Sequence, residues 1–600
     1  MCGIIGYTGK SNATGILLKG LKTLEYRGYD SAGIALNNNG KSKIFKYAGR
    51  VERLCGACND MSAGCGIGHT RWATHGKVND TNSHPHKFGR VTLVHNGIIE
   101  NFKELAEEFD LNSSLVSQTD SEISAGVIDS FFDGNPYSAI INAVSKFKGT
   151  YALAIMFDGI KDTIFAVRNV SPIVVCQNDD GSYLASDIIA VGEYCKSYFI
   201  LDEKAIAVLT PSTVKCFDFS MNEKAVELTE LDYQSLQAEK NGYPFYMEKE
   251  ICEQPKVIEK ALKSRIKNGL PDFSYDGIDD NFFSDITDIA FIACGTAMHA
   301  GLIAKELINY MAKIPCNVCL ASEYMYSNPI INDSTLVICI SQSGETIDTL
   351  EALRYAKKNG AKSLSVINVR NSSIARESDC VIYTDAGAEI AVASTKAYTT
   401  QLAVLYLISA KLSQIKGTMT EKEIKNFIEE AQKIPHSLNE VLKNKEQIHK
   451  LARTMLSAEH AFMIGRGLDY PALLEASLKL KEISYIHSEA FASGELKHGT
   501  IALITEKTPV IALITQSRLK SKEISNIKEV QSRGANVITL IKKSLNDGAV
   551  KCDFELPDLA DELMTIPSVT AMQLFAYYAS SDKGLDVDKP RNLAKVVTVE

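Results

Sequence analysis

Long apolar runs are missing from these 600 residues: none reaches membrane-spanning length, and no signal-like leader precedes the first apolar stretch at Ile4. Neither a membrane partner nor secretion is therefore expected. Cysteine is sparse, 14 in 600, which is too few for a disulfide scaffold and points to a reducing, cytoplasmic setting. Charge of one sign is also scarce. The 64 Lys and Arg against 73 Asp and Glu leave −9, which argues against a nucleic-acid footprint. Metal spacing is missing too. Cys55-x-x-Cys58 and Cys316-x-x-Cys319 find no fourth ligand at zinc spacing, and PCNVCLASEY reads as a strand with its cysteines filling core. Five of the eleven histidines fall at positions 69, 75, 84, 86 and 95, separations that match no common zinc pattern. No metal and no cofactor are expected. A nucleotide loop is absent as well. GYTGKS near the start imitates G-x-x-x-x-G-K-[ST], but that motif needs glycine where Ile4 stands.

The remaining composition, 45% hydrophobic and 23% charged, is that of a globular protein of several domains. Residues 2–238 are rich in short β-branched and aromatic runs such as VTLVHNGII and YALAIMF. They alternate with two helical stretches, ENFKELAEEF and TDSEISAGVIDSFF, so an α+β layered domain is expected. The polar segment QAEKNGYPFYMEKE reads as a linker, with 239–282 serving as linker and lead-in helix. From about 283 the pattern becomes strand, glycine turn and long helix, the doubly wound α/β arrangement. This half repeats itself. VICISQS (337–343) matches IALITQS (511–517), and NGAKSLSVI (359–367) matches RGANVITLI (533–541), both 174 residues apart. FIACGT at 291 matches FMIGRG at 462, only three residues out of step. Two copies of one unit are expected, at 283–425 and 452–585, followed by a tail, 586–600.

Two places carry chemistry. Cys2 follows the initiator Met, whose removal would leave a free α-amine of pKa about 8 able to serve as base for the adjacent thiol. On position alone Cys2 can equally be a small buried hydrophobe. In the second half, SQSGET follows a strand and precedes a helix expected to begin near Ile347. Ser341, Ser343 and Thr346 offer hydroxyls, and Gly344 allows close backbone approach, so the segment suits a phosphate monoester. Helix capping accounts for one hydroxyl but not for three beside Gln342. The second copy has Arg518, Leu519 and Lys520 where the first has Gly344, Glu345 and Thr346, so only the first is expected to bind.

The duplicated strand-SxS-G-x-T pattern, with CGTA (294–297) and ASTKAYTTQ (393–401), resembles the sugar isomerase (SIS) domain. HTRWATHG (69–76), HNGIIEN (95–101) and SQTD (117–120) resemble the N-terminal-nucleophile glutamine amidotransferases. With LEYRGYDSAG, ELKHG and DKPRNLAKVVTVE, nearly the whole chain resembles the glutamine–fructose-6-phosphate aminotransferase (isomerizing) family. That resemblance implies an αββα glutaminase domain, two SIS domains, a homodimer, and the substrates L-glutamine and D-fructose 6-phosphate. It makes Cys2 the nucleophile and Asn96 and Gly97 the oxyanion hole, with Arg71, Thr74, His75, Gly97 and Asp120 around glutamine. It assigns Glu482 to proton movement between C1 and C2, His498 of a neighbouring subunit to ring opening, and Lys595 to a Schiff base. Thr296, Ser341, Gln342, Ser343, Thr346, Val392 and Lys479 are implied for the sugar phosphate, and Trp72, the only tryptophan, for a gate on an ammonia passage. The family usually has serine after CGT; this chain has Ala297, one hydroxyl fewer.

Overall fold

The computed structural model describes residues 2–58, 61–73, 76–231 and 240–597. They form two compact units, one of residues 2–231 with 594–597 and one of 240–593.

In the first unit two antiparallel sheets stack face to face. One has eight strands, with Gly3–Gly9 between Gly181–Ala185 and Cys65–Arg71; the other has six, with Val91–Ile99 beside Gly149–Phe157. Alternation along a strand separates the layers. Ile4, with Ile67, Val94 and Ala152, fills the space between the sheets. Ile5 and Tyr7 point the other way, into a layer shared with Leu17, Leu21 and Leu54. On the far side Leu93 and Ile155 pack with Ile123, Ile128 and Ile140. The result is the expected αββα arrangement.

The helices outnumber the two read from sequence. Besides Phe102–Glu108 and Asp120–Ser130 there are Ala13–Leu24, Val51–Cys58 and Pro136–Val144. Both outer faces of this sandwich carry apolar side chains, Ile5 and Tyr7 on one and Leu93 and Ile155 on the other, and these segments cover them.

The second unit contains two five-stranded parallel sheets of the same order. The first runs Cys316–Leu320, Asp288–Ala293, Thr335–Ser341, Lys362–Ile367, Cys380–Tyr383. The second runs His487–Ala492, His460–Gly465, Pro509–Ile514, Asn536–Lys542, Phe554–Leu556. In each the chain steps to one side of its first strand and then returns to the other, which leaves a switch point at the carboxyl ends of the two central strands. CGT and SQSGET border this crevice in the first repeat; GRG and TQS border it in the second.

The lead-in helix is Tyr246–Lys263; it begins inside the segment read as linker, and its Met247, Ile251 and Ile258 are fully buried in the core of the second unit. Cys316 is buried as expected, but Cys319 is only half-buried, because its strand forms the sheet edge.

Candidate active sites

In the first unit the strand Gly3–Gly9 is held on both sides, and Ile4 exchanges hydrogen bonds with Ser186: its N–H donates to the hydroxyl and its carbonyl accepts from the Ser186 N–H, each at 2.9 Å. Cys2 is thus presented at the end of a fixed strand. Its Sγ accepts from the Trp72 N–H at 3.2 Å, and the Asn96 Nδ2 donates to its carbonyl at 3.0 Å. Desolvation pushes the Cys2 thiol above its ordinary pKa, with the amino terminus, the Trp72 N–H and Arg71 pulling the other way. The net direction leaves a protonated thiol that needs a base.

Asn96 is oriented from behind. His69 Nε2 lies 2.9 Å from the His95 carbonyl and 3.1 Å from Asn96 Oδ1. Both are acceptors, so Nε2 carries the proton and the Asn96 amide is turned with Nδ2 toward Cys2. His69 stacks on His84 at 4.0 Å, and burial lowers its pKa to about 3; His84 and His86 are likewise pushed well below the usual range by burial. These rings are bound to hydroxyls and backbone: His95 Nδ1 to Ser121 Oγ at 3.0 Å, His86 Nε2 to Thr119 Oγ1 at 3.1 Å. Gly97 has φ 131°, and a Cβ there would sit 2.0 Å from the Thr150 carbonyl, so only glycine fits.

Arg71 and Asp120 are both buried, and Asp120 is among the charges that hold the Arg71 guanidinium ionised against a burial penalty that lowers its pKa. Asp120 opens the helix Asp120–Ser130 and accepts from the Ile99 N–H at 2.9 Å. Asp30, not singled out from sequence, pins the intervening loop by accepting from the Ala73 N–H at 2.9 Å. The half-buried Trp72 meets Tyr29 edge-on at 5.9 Å. Thr74 and His75 lie outside the described residues. Lys595 is half-buried in the tail segment grouped with this unit.

In the second unit the helix Asp469–Ser484 carries Glu475, Lys479 and Glu482 on one face. Lys479 Nζ lies 2.5 Å from Glu482 Oε2 and 3.4 Å from Glu475 Oε1, and donates to Thr296 Oγ1 at 2.9 Å. Glu475, fully buried, also accepts from the Thr296 hydroxyl at 3.1 Å and pairs with His299 Nδ1 at 2.8 Å. A helix of the second repeat thus meets the CGT loop of the first. Burial works to lower the Lys479 pKa, but Glu475 and Glu482 outweigh it, so the net shift is upward and the ammonium persists. Glu475 and His299 were missed from sequence. The spacing Glu475, Lys479, Glu482 along one helix face was the available signal.

The SQSGET turn follows Thr335–Ser341 and leads into Ile347–Lys358 as expected. Ser341 Oγ accepts from the Gly344 N–H at 3.0 Å and contacts Thr346 Oγ1 at 3.2 Å; Ser343 Oγ accepts from the Glu345 N–H at 3.1 Å. The hydroxyls therefore shape the turn, and Thr346 makes no side-chain cap on the helix. Gly344 has φ 66°, and a Cβ there would strike Ser372 Oγ at 1.9 Å. The Gln342 carbonyl accepts from Asn368 and Val369 N–H, and the Val392 N–H donates to the Asp588 carbonyl at 3.0 Å. His498 is exposed at the end of a short turn of helix, Glu495–His498. Among those residues no group of three His, Cys, Asp or Glu converges as a metal site, and no helix is long and apolar enough to cross a membrane.

A glutamine amidotransferase domain matches residues 69–192, and SIS domains match 282–410 and 454–580. Glutamine–fructose-6-phosphate aminotransferases (isomerizing) from Clostridium acetobutylicum and Clostridium tetani are 46% and 47% identical to this chain, over all of it and all of theirs. The chain belongs to that family. The relative from Thermus thermophilus is 41% identical over the same full span. A solved structure, the C-terminal domain of glucosamine-fructose-6-phosphate aminotransferase from Francisella tularensis, is 39% identical with a TM-score of 0.57. It covers 58% of this chain and all of its own.

Proposed function

We propose that this chain converts L-glutamine and D-fructose 6-phosphate to L-glutamate and D-glucosamine 6-phosphate. With the initiator Met removed, the Cys2 α-amine takes the thiol proton and Sγ attacks the glutamine side-chain amide. Asn96 Nδ2 and Gly97 stabilise the oxyanion, each donor contributing roughly 3 kcal/mol. Arg71 and Asp120 hold the α-carboxylate and α-ammonium, with Thr74 and His75 completing the pocket. Ammonia leaves, and water releases glutamate from the thioester. Trp72 gates the passage of ammonia to the sugar.

Ser341, Gln342, Ser343 and Thr346 receive the phosphate, with Thr296 and Val392 against the sugar. His498 of a second copy opens the ring, so the working form is a homodimer in the cytoplasm. Lys595 captures the C2 ketone as an imine, ammonia displaces it, and Glu482 moves the proton from C1 to C2. Water taken up in glutamine hydrolysis equals water lost at the ketone, so the two half-reactions balance.

The observation that carries this reading is the Lys479–Glu482 pair, 2.5 Å apart and joined through Lys479 to Thr296. A buried ammonium beside a carboxylate keeps that carboxylate ionised, the form a base needs to take the proton from C1. Products from glutamine and fructose 6-phosphate are to be followed by mass spectrometry. Glu482→Gln is expected to keep glutamate formation and to lower amino-sugar formation by about 100-fold or more. Amino sugar formed at the parental rate by this variant would refute the assignment.

A further inference from the structure

The repeat spacing sets Ser341, Gln342 and Ser343 against Thr515, Gln516 and Ser517, and places Asp561 where the first repeat has Gly387. The second turn follows its strand in the same way and leads into the helix Lys520–Gln531. It is already occupied. Asp561 Oδ2 accepts from the Ser517 N–H at 2.6 Å, and Oδ1 accepts from the Ser517 hydroxyl at 2.9 Å. Lys542, at the end of the next strand and itself buried, places Nζ 2.7 Å from the same Oδ1. Gln516 Nε2 donates to the Asp561 carbonyl at 3.0 Å. One carboxylate therefore takes a backbone N–H, a hydroxyl and an ammonium at a strand-to-helix turn, the donor set that suits a phosphate monoester. In the first repeat Gly387 has φ 72° and no side chain to enter the corresponding space.

We propose that Asp561 is a built-in occupant of a second phosphate cup, so that each chain takes one phosphate ester rather than two. The inference rests on the reading of SQSGET as the phosphate site of the first repeat. Asp561 also accounts for a substitution that would spoil an open cup: Arg518 stands in place of Gly344, and it is harmless where no ligand enters. The neighbouring central strands are tied by a second carboxyl. Asp469 accepts from the Thr515 N–H at 2.9 Å and from its hydroxyl, and so bridges this switch point.

Inorganic phosphate is the probe, counted per chain by equilibrium dialysis with the full-length protein, its Asp561→Gly and its Asp561→Ser variants. Asp561→Gly restores the residue type of the first repeat, and Asp561→Ser keeps one hydroxyl while clearing the carboxylate. The parent should hold one phosphate per chain and the variants one more, with a phosphate-dependent rise in the urea midpoint that exceeds the parent's. A folded variant that keeps the parental count overturns the proposal, as does a destabilised one that phosphate fails to restore. A parent that binds none refutes the first-repeat reading separately, because the increment on substitution is still counted.

Discussion

At the scale of residues, the histidine behind Asn96 decides more than its position in the sequence suggests. His69 Nε2 donates to Asn96 Oδ1 at 3.1 Å, and this bond selects which end of the amide faces Cys2. His69→Asn shortens the side chain and withdraws its N–H from reach of Asn96, so the Asn96 amide loses its orientation. Glutamine hydrolysis should fall about 100-fold in kcat with little change in KM, in line with the loss of one oxyanion donor. His69→Gln carries an N–H at similar reach and should recover most of the rate. Steady-state kinetics on both variants checks this; equal losses would assign His69 to packing alone. Cys2, Arg71, Asn96 and Asp120 could be singled out because their motifs are specific. His69 was not, since a buried histidine looks like any other until its two acceptors are known. Glu475 lies between these cases, visible in its spacing and overlooked.

At the scale of elements, the two sheets of the first unit and the duplicated α/β sheets were readable from strand runs, glycine turns and the 174-residue repeat. The overlooked helices carried ordinary signals. Ala13–Leu24 is capped by Asn12 and buries Ile16, Leu17, Leu21 and Leu24 on one face; Pro136–Val144 begins with Asn135 and Pro136, a standard start. They were masked by the short apolar runs around them. The anchoring of the tail could not be read at all. Asp588 accepts from the first-turn N–H groups of Tyr246 and Met247 at 2.8 and 2.9 Å, across more than three hundred residues of chain. This bond fixes where the segment leading to Lys595 departs, and the negative charge suits the helix N-terminus it meets.

At the scale of the whole molecule, buried titratable groups in the two units pull stability in opposite directions as the pH changes. In the first, His69, with a pKa of about 3, and His84 and His86 stay neutral in the fold but protonate near 6.5 when unfolded. Their depressed values give stability that is complete above about pH 6.5 and is lost as the pH falls toward the folded values. In the second unit burial raises Asp469 to about 8 and Glu523 to about 7. Those groups favour the fold at low pH and lose that advantage as the pH rises from about 4 toward 8. Trp72, the one tryptophan, reports on the first unit alone. Its fluorescence midpoint in urea should fall as the pH drops below about 6.5 toward 5, reflecting a loss of up to about 1.4 kcal/mol per pH unit for each histidine. A flat midpoint would mean that these rings protonate inside the fold.

The central claim is that the nitrogen freed at Cys2 is the nitrogen placed on the sugar. Glutamine labelled with ¹⁵N in the side-chain amide, supplied with fructose 6-phosphate in excess unlabelled ammonium, tests it most directly. The account predicts glucosamine 6-phosphate carrying the label, formed one for one with glutamate, and none from Cys2→Ala with labelled glutamine. Glutamate formed alongside unlabelled amino sugar, or without amino sugar, would contradict it.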